Sequence, residues 1–179
     1  FAIKNGSVMN VRDAIKNRRS IRRFQDTALT ADEVNILCEA VIWAPSAGNL
    51  QSRRFYFVSN PDLKKRIAAV CMGQMFIAVA PLVVVACADY ERIRPYRDRG
   101  KNLYAIQDAA CAVENLMLQA HELGLGSVWV GAFDEDALSG VLSLPSSQKP
   151  LAVVPIGHPA HRPEAPERLP KEEIVTLMR

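Results

Sequence analysis

Residues 67–88 carry no charged side chain, and this stretch constrains the fold more than any other part of the chain. Its length would reach across a bilayer. Gly73, Gln74 and Pro81 interrupt it, however, and much of it is alanine. A buried helix over 73–80, stopped by Pro81, followed by a buried strand over Leu82–Ala86, accounts for it better than a membrane span. That strand is apolar on both faces. Such a strand belongs inside a sheet that helices cover on both sides.

The rest of the pattern agrees with a covered sheet. Val11, Ala14 and Ile15 predict a helix over 11–17 after Asn10. Thr30 and Glu33 form a capping box for a helix that Pro45 stops near Trp43 or Ala44. Phe55–Val58 reads as a strand. Pro61, one residue after Asn60, opens a helix running to Val70. A long helix is expected over 102–123, with Leu103, Ile106, Ala110, Val113, Met117 and Ala120 on its buried stripe and Gly124 closing it. Ser127–Gly131 and Leu151–Ile156 read as strands, and Asp134 starts a helix between them. Residues 91–100 alternate charge around Pro95 and predict a mobile surface excursion.

Four prolines fall within 157–170, where no apolar periodicity survives; an extended strap is expected, ending in the β-prone run Ile174–Met178. A strap followed by an apolar strand makes poor sense on one small body. It predicts a tail that crosses to a second subunit and joins its sheet.

Composition narrows the class. The 179 residues are 49% hydrophobic and 23% charged, which suits one globular unit over residues 1–179. No signal-peptide pattern opens the chain. The start Phe1-Ala2-Ile3-Lys4 lacks an initiator Met and reads as processed, with Met9 a candidate native start. Cys38, Cys71, Cys87 and Cys111 show no CxxC spacing and sit among apolar neighbours, which predicts buried free thiols in a reducing, cytoplasmic setting. His121, His158 and His161 form no metal motif, so no metal is expected. His121 reads as a residue near a helix C-terminus, and Trp129 as core.

The net charge of +3 conceals an uneven distribution. Lys4, Arg12, Lys16, Arg18, Arg19, Arg22 and Arg23 face a single acid, Asp13, within residues 1–24, while the remaining chain is slightly acidic. A compact basic spot on a weakly acidic protein points to an anionic ligand. A nucleic-acid-binding module is the alternative, but the basic run is short and aromatics are not interleaved with it. Arg18, Arg19, Ser20 and Arg22 combine guanidinium forks with a hydroxyl, which suits phosphate. Pro45, Ser46, Ala47, Gly48, Asn49, Leu50 and Gln51 make a polar loop able to read the edge of a ring. The run from Gly124 to Gly131 follows a helix, so it is no dinucleotide fingerprint. Gly131 could admit a flat ligand close to the backbone. Arg168 could return along the strap to the phosphate that Arg18 meets. No nucleophile triad or carboxylate pair can be assembled from spacing, and no catalytic residue is nominated.

Four blocks occur in order: RRSIRRF, WAPSAGNLQ, IQDAACAVENLMLQAHELGLGSVWVG, and PIGHP followed by Arg168. Together they resemble the FMN-dependent nitroreductase family, in its short form, over residues 10–178. The resemblance implies an α+β fold, a three-layer α/β/α sandwich around a mainly antiparallel sheet. It implies a homodimer with FMN at the interface and residues 158–179 as an extension embracing the partner, whose terminal strand is exchanged. It places Arg18, Arg19 and Ser20 at the FMN phosphate and ribityl chain, and Arg22 at the pyrimidine edge. Pro45, Ser46, Ala47 and Asn49 would come from the other subunit. Val130 and Gly131 would offer backbone near N5, and Arg168 a tail contact to the phosphate. Some members carry Glu at the place of Gly131 and a second basic residue at that of Pro166. The implied activity is hydride transfer from NAD(P)H through flavin N5 to nitroaromatics, quinones or similar acceptors, by alternating half-reactions. A flavin-binding protein of the same fold serving storage, flavin fragmentation or dehydrogenation is the nearest alternative.

Overall fold

β2 (Leu82–Asp89) lies inside the sheet, as its two-faced apolar sequence requires. In the computed structural model, which describes residues 9–178, β2 pairs on one side with β1 (Arg53–Val58) and on the other with β4 (Gln148–Gly157). The short β3 (Gly126–Ser127) extends the sheet beyond β4, giving the order β1-β2-β4-β3 with every pairing antiparallel. Lys4 and the reading of the chain's first residues lie outside the described residues.

Alternation along β2 divides the core into two layers. Leu82, Val84 and Ala86 face α2 (Ala31–Ile42) and α6 (Ala105–Glu122), meeting Leu37, Val41, Val113 and Leu116. Val83, Val85 and Cys87 face α3 (Pro61–Val70), α4 (Phe76–Val79) and α7 (Glu135–Leu142), meeting Ile67, Ile77 and Leu138. The result is the three-layer α/β/α, α+β architecture. Among the described residues, no helix is long and apolar enough to cross a membrane.

Several local signals act as read. Asn10 caps α1 (Val11–Asn17) by accepting from the Asp13 N–H, and the Thr30–Glu33 capping box is formed in both directions. Asn60 and Pro61 open α3, and Asp134 caps α7.

Other readings need correction. The long helix buries Val113, Met117 and Ala120 of the expected stripe, but in its first turns it buries Ala105, Asp108 and Ala109 and leaves Ile106 exposed, while Ala112, Leu116 and His121 widen the inner face. Cys111 on the outer face of this helix is exposed, against the expectation of buried thiols, whereas Cys71 and Cys87 are fully buried and Cys38 partly so. Burial pushes the Cys71 thiol up to about 11 and the Cys87 thiol to about 12. Trp129 is 39% exposed and is not a core residue. The excursion after β2 is anchored: Ile93 and Gly100 are buried, and a single turn, α5 (Arg97–Arg99), passes through a π-helical stretch into α6. The tail ends in a short helix, α8 (Lys171–Ile174), followed by extended residues that pair with nothing in their own sheet. The run read as β-prone therefore begins inside a helical turn.

Candidate functional site

The basic segment is held by neighbours on both sides. Arg18 closes α1, donating its backbone N–H to Ala14 O. Ser20 forms a parallel bridge to Ser127, and the Ile21 N–H donates to Ser127 O at 2.9 Å. Gly126 allows this approach: a Cβ there would stand 2.6 Å from Ile21 Cγ1. Further along, the Gln25 N–H donates to His158 O at 2.8 Å and the Ala160 N–H to Arg23 O at 2.9 Å. Residues 20–25 are thus sewn between β3 and the start of the tail.

This placement orients the arginines. Arg19 Nη1 folds back onto the C-terminal carbonyls of α1, donating to Lys16 O at 2.7 Å and Arg18 O at 2.8 Å. Arg18 Nη1 is buried and has no hydrogen-bond partner. Ser20 and Arg22 line a depression of about 250 Å³ together with Arg23, His161 and Pro163. The tail arginine that reaches this region is Arg162, whose Nη2 donates to Gly124 O at 3.2 Å. Arg168 is exposed further along the strap.

The second feature, the 45–51 loop, is built on two buried charges. Asp108, 4% exposed on α6, accepts from the Ala47 N–H at 2.9 Å and from Ser52 Oγ at 2.6 Å. Arg53, 8% exposed at the start of β1, donates to Ile42 O, Ala44 O and Pro45 O. Its guanidinium therefore satisfies carbonyls at the end of α2. Burial pulls the Arg53 pKa down and the carboxylate of Asp108 opposes that shift. Ser46 Oγ accepts from the Gln51 N–H at 3.0 Å. Gly48, Asn49 and Gln51 all have positive φ, so the loop is held in a conformation that costs energy. Tyr96 of the excursion closes over it, its hydroxyl 2.6 Å from where a Gly48 Cβ would stand.

Val130 is buried and pairs with Val153, while Gly131 is exposed, and a Cβ there would meet only Trp129 Nε1, at 3.9 Å. No hydrogen bond or ion pair among the described residues joins the 45–49 loop to Arg18, Arg19, Ser20 or Arg22. The chain carries two separate polar features rather than one closed site. An apolar groove of about 430 Å³ lies between α1, α2 and α6, lined by Met9, Val11, Ile36, Trp43 and Leu118, with Trp43 82% exposed beside it.

Sequence reasoning missed Asp108, Arg53 and Arg162; His121 lies in the last turn of α6, near the helix C-terminus as read. Asp108 offered one usable signal, a lone acid on an otherwise alanine-rich helix face.

The nitroreductase family model matches residues 15–89 and 73–158, which together cover most of the chain. The chain belongs to the nitroreductase family. A Bacillus subtilis relative of this family, an FMN reductase [NAD(P)H], is 31% identical over 175 residues, spanning 90% of this chain and 70% of the relative. Among solved structures, the hypothetical oxidoreductase YcnD of Bacillus subtilis superposes with a TM-score of 0.87 at 32% identity, over 93% of this chain and 73% of that one. The NADPH:FMN oxidoreductase of Vibrio harveyi, complexed with NAD+, gives a TM-score of 0.87 at 25% identity, over 94% and 77%.

Proposed function

We propose that this nitroreductase-family chain is an NAD(P)H-dependent oxidoreductase that uses FMN and passes reducing equivalents to nitroaromatics, quinones or similar electron-poor acceptors. Relatives named FMN reductase and NADPH-flavin oxidoreductase support the chemistry. The observation that carries it to this chain is Arg18 Nη1, a guanidinium nitrogen buried without a partner beside Arg19 and Ser20. An unpaired buried donor is costly, and a phosphate oxygen is the acceptor that a guanidinium fork fits best. The open backbone at Gly131 and the arginines around Ser20 suit the remainder of the cofactor. FMN, when bound, supplies the ring that accepts and returns the hydride.

The chain's own work is then binding and electrostatics. Arg18, Arg19 and Ser20 hold the phosphate end. Arg22, exposed at the lip of the depression, stabilises negative charge on the pyrimidine edge. Val130 and Gly131 offer backbone beside the ring. Pro45, Ser46, Ala47 and Asn49 serve the flavin of a second copy, in keeping with their separation from Arg18 in one subunit. The whole chain acts as one FMN-binding unit of a homodimer. Residues 158–179 embrace the partner, bringing Arg168 to a phosphate, and the groove beside Trp43 is covered by the second copy. No side chain is given a proton-transfer role.

The purified protein is expected to be yellow, with one FMN per chain and turnover of NAD(P)H in the presence of a quinone. Arg18→Ala is expected to weaken FMN binding by about tenfold or more, the loss of one charge-assisted contact. Colourless protein that takes up no FMN on incubation would overturn the reading.

A further inference from the structure

His121 stands in the last turn of α6, 5% exposed, and its Nε2 is sealed from solvent without a hydrogen-bond partner. The charged groups acting on it are all cationic. Arg18 and Arg19 come from the segment after α1, and Arg162 comes from the tail. Arg162 is docked on the same turn: its Nη2 donates to Gly124 O, and the Gly124 N–H donates to His121 O at 3.0 Å. The adjacent acid, Glu122, is turned away to accept from Gln119 Nε2 at 2.9 Å. Among the described residues, no ion pair involves Arg18, Arg19 or Arg162. Three arginines from two distant parts of the chain therefore act on one imidazole, with no carboxylate paired to them. Such an arrangement opposes itself electrostatically and favours a multiply charged anion.

We propose that His121 takes up a proton when a phosphate dianion binds at Arg18, Arg19 and Arg162, so that cofactor binding is coupled to pH. This rests on the FMN reading above. Without the anion, burial first and then the fields of Arg162, Arg18 and Arg19 hold the imidazole below its ordinary range, so it is neutral at pH 7. A dianion balances that field and attracts the imidazolium directly. The C-terminal end of α6 favours the charged ring as well. The proton comes from solvent, and no other bond changes. The sign follows from linkage: His121 binds a proton more tightly in the loaded protein than in the empty one. Loading therefore takes up protons between the two midpoints, and affinity gains as pH falls through that window. The phosphate's own second ionisation, near pH 6, acts in the opposite direction. The readout is accordingly a difference between wild type and a His121 variant.

FMN, riboflavin and inorganic phosphate are titrated calorimetrically into the full chain near pH 6, in two buffers of different ionisation enthalpy. Wild type is expected to take up on the order of half a proton more per FMN bound than His121→Gln. Inorganic phosphate should reproduce the difference and riboflavin should not. In parallel, the His121 ring resonance of wild-type protein is followed by NMR against pH, with and without FMN. Its midpoint is expected to rise by about one unit on loading. Equal proton counts in wild type and a folded variant, or a midpoint that stays or falls on loading, overturn the proposal. The NMR measurement decides alone if the variant does not fold. FMN that binds while His121 does not respond refutes this inference and leaves the flavin reading intact. Protonation driven by inorganic phosphate in a chain that binds no FMN does the reverse.

Discussion

Asp108 shows how one buried charge governs a surface feature. Its carboxylate accepts from Ala47 and Ser52 on opposite sides of the loop, and its field steadies Arg53, which in turn holds the end of α2. Asp108→Ala would leave buried donors unpaired and a buried guanidinium without its nearest anion. The expected loss is about 3 kcal/mol, read as a lowered denaturation midpoint. FMN affinity is expected to fall with it, because Gly48, Asn49 and Gln51 would relax from their positive φ values. A variant within about 1 kcal/mol of wild type would show that the loop keeps its shape without the carboxylate. Beyond a lone acid on an alanine-rich helix face, none of this was legible in the sequence. An aspartate reads as surface until its partners, 56 and 61 positions away, are known. The same holds for Arg162. Composition marked the strap as extended, but only the pairing of residues 158–160 with Arg23 and Gln25 brings Arg162 to α6 while Arg168 stays exposed.

Elements were more legible than residues, for reasons that differ among them. The Thr30–Glu33 box, Asn10, Asn60-Pro61 and Asp134 are local signals, and local hydrogen bonds execute them. β2 was placed inside the sheet because both its faces are apolar, a property no edge strand can tolerate. The inner face of α6 was read correctly at Val113, Met117 and Ala120 but misread in its first turns, where alanine leaves the rotation undecided by hydropathy. Close packing against β2 and β4 settles it instead. The strand expected over Ser127–Gly131 shrinks to two residues plus the Val130 bridge, since Ser127 is shared with the basic segment at Ser20. That shared edge has a testable consequence. In Gly126→Ala the new methyl would collide with Ile21, forcing residues 20–22 away from β3. Overpacking of this kind costs about 1–3 kcal/mol. Because Ser20 and Arg22 move with Ile21, FMN affinity is expected to fall more than thermal stability alone explains. Comparing the FMN dissociation constant with the melting temperature checks this. Unchanged binding in a destabilised variant would separate the basic segment from the cofactor.

At the scale of the molecule, two groups of apolar side chains stand exposed among the described residues. On the body they are Val11, Ile15, Ile42 and Trp43, around the groove between α1, α2 and α6; on the tail they are Leu169, Ile174, Val175, Leu177 and Met178. Exposed apolar surface of this extent marks an interaction face. The tail leaves its own body after Pro163, and the apolar residues beyond it find no burial on that body. Truncation after Pro163 tests this cleanly, because it keeps the pairing of 158–160 with Arg23 and Gln25 and keeps Arg162 on Gly124. The truncated body retains both halves of the core and is expected to stay folded. In sedimentation velocity it is expected to run as a monomer, or as a dimer dissociating at least tenfold more readily than the full chain. If each flavin needs the 45–49 loop of the second copy, FMN affinity must then become dependent on protein concentration. A truncated chain that remains a tight dimer with undiminished FMN binding would assign the embrace to the helical face alone and leave the tail's apolar residues without a role.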